Sequence, residues 1–234
     1  MFFLPTSDGT SQRHAVFSAS DLVLAATCEY ASLQVLDEKL GRIPRSDFAE
    51  DALLARTSVL GDQHENAVLE QFKERFGQWN PETHTGVYEV EPASDYSREA
   101  LEAKHRETMQ ALEAGADVVF QASFFDGEFH GRADFLVKTG PGEFAVYDTK
   151  LARHAKVTAL LQLAAYADQL LKAEFAVHPD AVLILGTGEE STHNIYEILP
   201  VFRERRRRFL DTLARHSQEG VEAVSWFGSE DVAR

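Results

Sequence analysis

Two neighbouring segments of strand-forming residues constrain the fold of this chain most strongly. Residues 129–138 and 143–150 are rich in Phe, Val, Leu and Tyr, and Thr139-Gly140-Pro141-Gly142 between them is typical of a turn. The pattern predicts a β-hairpin. If residues 140–142 form its loop, Thr139 faces Glu143 across the two strands.

The register of this hairpin brings charged side chains together. Counting outward from the loop places Asp134 opposite Asp148, and directly opposed residues point to the same face of a sheet. Because side chains alternate along a strand, Lys150 emerges on the face of Asp148, whereas Tyr147 and Thr149 point to the other face. The hairpin therefore predicts a patch of two carboxylates and a lysine.

Two opposed carboxylates repel each other unless a cation lies between them. A divalent metal would remove this conflict, and oxygen ligands with open positions favour Mg²⁺ or Mn²⁺ over zinc, which prefers more His or Cys. Such a metal can polarise a phosphoryl oxygen and lower the pKa of a bound water. The alternative is that Asp134 and Asp148 are ordinary strand-end residues and that Lys150 simply pairs with one of them.

A histidine upstream of the hairpin is a candidate metal ligand. His64, Val68, Phe72 and Phe76 recur at every fourth position, so His64 lies on the apolar stripe of an amphipathic helix and faces inward. Alone, an inward histidine is a core residue. Beside two carboxylates, a neutral imidazole would complete one side of a metal shell.

The segment after the hairpin adds two polar candidates. Residues 157–172 have helical spacing, and Gln162 and Tyr166, four apart, share one face of that helix. They could hold a phosphate or a base against the metal, or they could be ordinary boundary residues.

These motifs together resemble the RecB-like branch of the PD-(D/E)XK nucleases, especially the RecB-like nuclease family often joined to superfamily 1 helicases. The order is Gly61-x-x-His64, Gly131-x-x-Asp134, Asp148-x-Lys150 and Gln162-x-x-x-Tyr166, and the opening Phe17-Ser18-Ala19-Ser20-Asp21-Leu22 is also similar to that family. The likeness runs from about residue 17 to about residue 188. It implies an α/β fold with a restriction-endonuclease-like core, in which a mixed central sheet is flanked by helices. We expect a single domain over residues 1–234, with a helical N-terminal part at about 18–77 and a catalytic core at about 85–218.

The resemblance also implies roles for individual residues. The catalytic residues would be Asp134, Asp148 and Lys150, with Lys150 positioning or activating the attacking water. The ligands of Mg²⁺ or Mn²⁺ would be His64, Asp134, Asp148 and the backbone carbonyl of Thr149. The substrate would be positioned by Arg132, Gln162 and Tyr166. The second acid is Asp148 where many relatives have Glu.

The implied activity is metal-dependent hydrolysis of DNA phosphodiester bonds, in single strands or at ends, during DNA repair, recombination or defence. A superfamily 1 helicase or a repair protein would be the partner. The alternative is a nucleic-acid-binding or docking module of a helicase-nuclease assembly that keeps the fold without turnover. The complete set of two acids and a lysine favours the enzyme.

Several relatives bind an iron–sulfur cluster through one early and three late cysteines. Cys28 lies at the early position, but the sequence contains a single cysteine. One thiol cannot hold a four-cysteine cluster, so none is expected, and Cys28 is interpreted as a small buried hydrophobe on a helix. A lone cysteine suits a reducing cytoplasm, and no stretch resembles a leader or reaches membrane-spanning length.

The net charge of −15 argues against strong intrinsic binding to nucleic acid, because affinity comes largely from cations that neutralise phosphates. Residues 203–208 hold five arginines and one Glu. On a C-terminal helix this run could follow a nucleic-acid backbone. The favoured interpretation is a solvated helix face that neutralises nearby acids.

The secondary structure predicted from these patterns alternates between helices and strands. Helices are expected at 20–39, 47–76, 94–114, 157–172 and 200–218, and strands at 87–91, 117–125, 129–138, 143–150, 181–185 and 194–199.

Overall fold

The computed structural model describes residues 1–5, 13–44 and 52–219. In chain order the strands are β1 Phe2–Pro5, β2 Arg13–Val16, β3 Val87–Glu89, β4 Val118–Phe125, β5 His130–Gly140, β6 Glu143–Lys150, β7 Ala176–Val177, β8 Asp180–Leu185 and β9 Glu190–Asn194. The helices are α1 Ala19–Thr27, α2 Glu29–Leu40, α3 Ala52–Phe76, α4 Arg98–Ala114, α5 Val157–Lys172 and α6 Ile195–Glu219. Residues 47–51, the predicted start of the second helix, lie outside the described residues.

The central element is a mixed sheet with the strand order β3-β4-β5-β6-β8-β9, to which β7 adds beside β6. The β3/β4, β6/β7 and β6/β8 pairs are parallel, whereas β4/β5, β5/β6 and β8/β9 are antiparallel. Helix α5 connects the parallel strands β6 and β8, as such pairs require. This confirms the predicted α/β fold with a mixed sheet flanked by helices.

Each face of the sheet carries its own apolar core. On one face, α3 packs its Val68, Leu69 and Phe72 against residues of the central strands, including Phe135 and Ile184. On the other face, the buried side of α5 packs with α1, α2 and α6 against strand residues such as Leu136, Val146 and Leu183. The burial of both faces explains why residues 181–185 of β8 and residues 144–147 of β6 are continuous apolar runs.

The hairpin forms with a different turn from the one predicted. Gly140, rather than Thr139, pairs with Glu143, so that Pro141 and Gly142 form a two-residue turn and the register shifts between Lys138 and Gly140. The extra residue at this bulge is absorbed before the strands reach Phe135 and Tyr147, which pair as predicted.

Two other predicted elements are wrong. The single helix at 20–39 is interrupted at Cys28, whose extended backbone ends α1 and begins α2. The strand predicted at 194–199 is instead the first part of α6, because Asn194 accepts a hydrogen bond from the Tyr196 amide and caps the helix. The spacing of Ile195, Leu199 and Phe202, all buried, then follows a helix, while β9 lies just upstream.

In the part of the chain that the structure describes, no helix combines the length and apolarity needed to cross a membrane.

Candidate active site on the central hairpin

Asp134 lies at an irregular point of the sheet. Continuing the Phe135–Tyr147 register by one residue places Asp134 opposite Asp148, as the sequence predicted. The Asp134 carboxylate turns toward β6, where its Oδ2 accepts hydrogen bonds from the Thr149 amide at 2.8 Å and from the Thr149 hydroxyl at 2.9 Å. Thr149 therefore contacts the site through these two groups, and a role for its carbonyl stays a prediction.

Asp148 is fully buried, with 0% of its surface exposed. Its Oδ2 lies 2.5 Å from Nζ of Lys150, which is itself about one third exposed. Apart from this short contact with Lys150, neither oxygen of Asp148 has a hydrogen-bond partner among the described residues. A buried carboxylate with so few polar partners is costly to ionise.

The environment of Asp148 favours its protonated form. Burial, together with the charges of the Asp134 and Glu65 carboxylates, raises the pKa of Asp148 to about 8 although Lys150 acts to lower it. A carboxyl group in such a position can lose its proton at neutral pH when another cation replaces it.

Glu65, on α3, is the residue that the sequence reasoning missed. Burial, followed by the charge of the Asp134 carboxylate, raises the pKa of Glu65 to about 6. The side chain of Gln121, on β4, donates a hydrogen bond to Glu65. The sequence contains one signal for Glu65, which is its position directly after His64. Adjacent residues of a helix point about 100° apart, so the neighbour of a candidate ligand can face the site in its place. Glu65 therefore lies close enough to Asp134 and Asp148 for the three carboxylates to affect one another's ionisation.

Gln121 holds Glu65 from an unusual backbone position. Its φ of 53° lies in the left-handed region, which non-glycine residues rarely adopt. The β4–β5 register continues on both sides of it, through the Phe120–Phe135 and Ala122–Ala133 pairs, and places Gln121 beside Asp134. Strain of this kind is often found at functional sites.

His64 lies on α3 as predicted but is not grouped with the aspartates in a metal-ligating set. Its Nε2 lies 3.1 Å from the carbonyl oxygen of Ile184, on the face of the sheet that α3 covers. Asp148 and Lys150 alternate with Tyr147, which packs on that α3 face, and so point to the opposite side. Within the described residues His64 is not part of a group of three metal-ligating side chains, and its role as a ligand stays a prediction.

The other predicted site residues lie beside the carboxylates. Tyr166 is buried on α5, and burial, followed by Asp134 and Asp148, raises the pKa of its hydroxyl well above the usual range. Interactions with the Gln162 side chain and the Arg132 backbone lower the same pKa. Arg132 also donates a hydrogen bond from Nη2 to the Val90 carbonyl, and its buried Nε has no partner among the described residues.

The chemistry of these side chains suits a hard divalent cation, because Asp134, Asp148 and Glu65 are carboxylates. Apart from the contact with Lys150, both oxygens of Asp148 also have no hydrogen-bond partner among the described residues. The positions are not those of a formed metal site: within residues 1–5, 13–44 and 52–219, no three His, Cys, Asp or Glu side chains are grouped to hold a metal ion. The Asp134 carboxylate instead accepts two hydrogen bonds from Thr149, while the Asp148 carboxylate forms an ion pair with Lys150.

The arginine run lies on α6, where most of it pairs with acids. Arg203 and Arg206 lie within 4 Å of the buried Asp168, Arg207 pairs with Glu204 and Asp211, and Arg208 pairs with Glu29. These contacts agree with the interpretation of a helix face that neutralises nearby acids.

Cys28 lies between helices rather than on one, which corrects the sequence interpretation. It is half-buried, and its Sγ accepts a hydrogen bond from the Ala31 amide at the start of α2. The extended backbone at this residue is the reason that α1 and α2 are separate.

No protein-family model matches the chain, and no curated protein is significantly similar to it in sequence.

Gly131 allows the hairpin to pass close to two aromatic rings. A Cβ at this position would lie 2.9 Å from Cζ of Phe129 and 2.9 Å from Cε1 of Tyr166, both buried. We expect Gly131→Ala to lower the free energy of unfolding by about 1–3 kcal/mol, the usual cost of overpacking. Urea unfolding measures the change.

The matched control is Gly61→Ala on α3, where no heavy atom lies within 4 Å of an added Cβ. Because alanine favours helix, this substitution should be neutral or slightly stabilising. Equal stability of the two variants would contradict the close packing of Gly131 against Tyr166.

Proposed function

We propose that this protein is a metal-dependent nuclease with a restriction-endonuclease-like core, and that Asp134, Asp148 and Glu65 hold the metal beside Lys150. The observation that carries the proposal is the fully buried Asp148 carboxylate. Among the described residues it forms an ion pair with Lys150, and the negative charges of Asp134 and Glu65 disfavour its ionisation. A protein gains no stability from an acid buried in this way, which points to a functional reason for it.

Each residue of the site has a chemical task in this proposal. A bound Mg²⁺ or Mn²⁺ would polarise the scissile phosphoryl oxygen and lower the pKa of a coordinated water. Asp148 would lose its proton and its contact with Lys150 when it binds the cation. The Asp134 carboxylate would rotate away from Thr149 to bind the same ion. Lys150, released from Asp148, would orient the water and stabilise negative charge on the phosphate. Gln162 and Tyr166 would position the substrate from α5.

The resemblance to the RecB-like nucleases supports DNA as the substrate, in single strands or at ends. A helicase or repair protein would deliver this substrate. The acidic character of the chain agrees with such a partner, because 38 acidic residues against 23 basic ones weaken intrinsic binding to a polyanion.

One observation favours the alternative of a binding module without turnover. The Asp134 carboxylate is already satisfied by two hydrogen bonds from Thr149, so the carboxylates are not arranged as a metal site. Metal uptake separates the two functions, since only the nuclease requires it.

Titration calorimetry with Mn²⁺ is the test. We expect saturable uptake at pH 7, accompanied by proton release because Asp148 must deprotonate to bind. Asp148→Asn and Glu65→Gln should weaken the affinity about 10-fold or more, the effect typical of altered metal-site residues. Asp180→Asn and Glu70→Gln, which remove exposed acids from β8 and α3, are the matched controls. Equal Mn²⁺ affinity in all five proteins would exclude the proposed site.

A further inference from the structure

One segment of the chain is cationic and contains no acid. Between Asp148 and Asp168 the sequence has no Asp or Glu, whereas Lys150, Arg153 and Lys156 are basic, with His154 between the last two. Residues 151–156 form the loop from β6 to α5, directly after Lys150. In a chain with a net charge of −15, this loop is a local region of positive potential next to the candidate active site.

No described residue neutralises the charges of this loop. Arg153, His154 and Lys156 are exposed, and none of them makes a side-chain hydrogen bond or ion pair with a residue in the described ranges. The arginines of α6 differ, because four of the five in residues 203–208 pair with acids. The loop is therefore the stronger candidate for contact with an external polyanion.

A cavity of about 230 Å³ opens beside the same loop. Its wall is mainly aliphatic, with Leu151, Leu183 and Leu185 contributing, while Lys150, Thr158 and Gln162 supply polar groups. Lys150 links this cavity to the carboxylate cluster, since its Nζ contacts Asp148. An apolar space with a few polar groups and a cationic rim suits a flat heterocycle attached to a phosphate.

We propose that the loop at residues 151–156 and the adjoining cavity bind one nucleotide of a single-stranded polynucleotide. Arg153 and Lys156 contact its phosphates, and its unpaired base enters the cavity between Leu151 and Leu185. This inference rests on the proposed nuclease function, to which it adds a subsite that selects single strands. A base held in a duplex cannot enter a cavity without being extruded, which costs a few kcal/mol.

Fluorescence anisotropy with labelled oligonucleotides in EDTA tests this subsite without requiring cleavage. Arg153→Ala/Lys156→Ala should weaken binding to single-stranded DNA about 10-fold and reduce the salt slope by about 1.4, as expected for two lost phosphate contacts. The control Arg205→Ala/Arg215→Ala removes two exposed cations from α6 and should change the affinity less than about 2-fold. Equal losses in both double variants would overturn the subsite.

A cavity-filling variant tests the base separately from the phosphates. Ala155→Trp leaves the charge unchanged and places an indole at the cavity wall. It should weaken single-strand binding at least about 5-fold while the thermal unfolding midpoint stays within a few degrees of the wild type. Wild-type affinity in a folded Ala155→Trp protein would overturn the placement of a base there.

Duplex and RNA oligonucleotides of the same sequence complete the test. Tighter binding of the blunt duplex than of the single strand would overturn the inference, and an equal dependence of single-stranded RNA on Arg153 and Lys156 would extend the subsite to both polymers. A wild type that binds through the loop but does not cleave in Mn²⁺ would overturn the proposed nuclease alone. A wild type that cleaves, with both the loop and the cavity variants binding normally, would overturn the subsite alone.

Discussion

Asp148→Asn is expected to reduce cleavage of labelled single-stranded DNA in Mn²⁺ by about 10³-fold or more. The amide keeps the shape of the side chain but removes the negative charge that would hold the cation. Lys150→Ala should produce a loss of about 10²- to 10⁴-fold, since it deletes the group that orients the water and stabilises charge on the phosphate. Initial rates under single-turnover conditions measure both effects.

The pattern across variants distinguishes the site from a general loss of structure. Asp134→Asn should behave as Asp148→Asn does, whereas Asp180→Asn, at the exposed start of β8, should retain wild-type activity. Glu65→Gln should reduce activity and Mn²⁺ affinity together. Retention of cleavage by the Asp134, Asp148 and Lys150 variants would place the chemistry elsewhere in the molecule.

The contribution of Asp148 to the stability of the metal-free protein should fall between about pH 4 and pH 8. The pKa of Asp148 is raised from 3.8 to about 8 in the folded state, so the folded protein binds a proton that the unfolded chain releases across this interval. Unfolding free energy decreases with pH wherever the folded state binds more protons. Glu65, with its pKa raised to about 6, acts in the same direction between about pH 4 and pH 6.

Asp148→Asn should remove most of this dependence. At pH 8 in EDTA we expect the variant to be more stable than the wild type by roughly 2–4 kcal/mol, because it no longer buries a charge without hydrogen bonds. Urea unfolding from pH 5 to pH 8 measures the difference, and Asp180→Asn again serves as the control. Addition of Mn²⁺ should stabilise the wild type more than the variant. Parallel pH profiles for the wild type and Asp148→Asn would contradict the burial of an ionisable carboxyl at this position.

The hairpin could be predicted from sequence because its signals are local. Period-two alternation and a Pro-Gly turn fix which residues oppose each other, and the pairing of Phe135 with Tyr147 follows the predicted register although the turn differs. A bulge near Thr139 changes the turn without altering the faces of the strands, since its extra residue is absorbed before the paired segment. The contact between Asp148 and Lys150 agrees with their predicted common face, whereas the Asp134 carboxylate turns to Thr149.

The contribution of α3 could not be predicted in the same way. Helical periodicity identifies a buried stripe, but the packing angle of the helix on the sheet decides which neighbouring side chain reaches the site. His64 follows the stripe and contacts Ile184, while Glu65, one residue further on, approaches the carboxylates. Its partner Gln121 depends on a left-handed backbone position that no local sequence pattern indicates.

The start of α6 shows a similar limit. Apolar residues at 195, 198 and 199 fit a strand or a helix when read alone, and short segments of this kind are ambiguous. The choice depends on β9, which pairs with β8 and ends at Asn194, so that Asn194 becomes available as a cap. Long-range pairing therefore determines the local structure here.

Cleavage of an end-labelled single strand by the wild-type protein tests the proposed nuclease site most directly, when it is assayed side by side in Mn²⁺ and in EDTA with Asp148→Asn as the reference. We expect products only for the wild type with Mn²⁺. Products in EDTA, or equal products from Asp148→Asn in Mn²⁺, would contradict a metal-dependent nuclease site at the central hairpin.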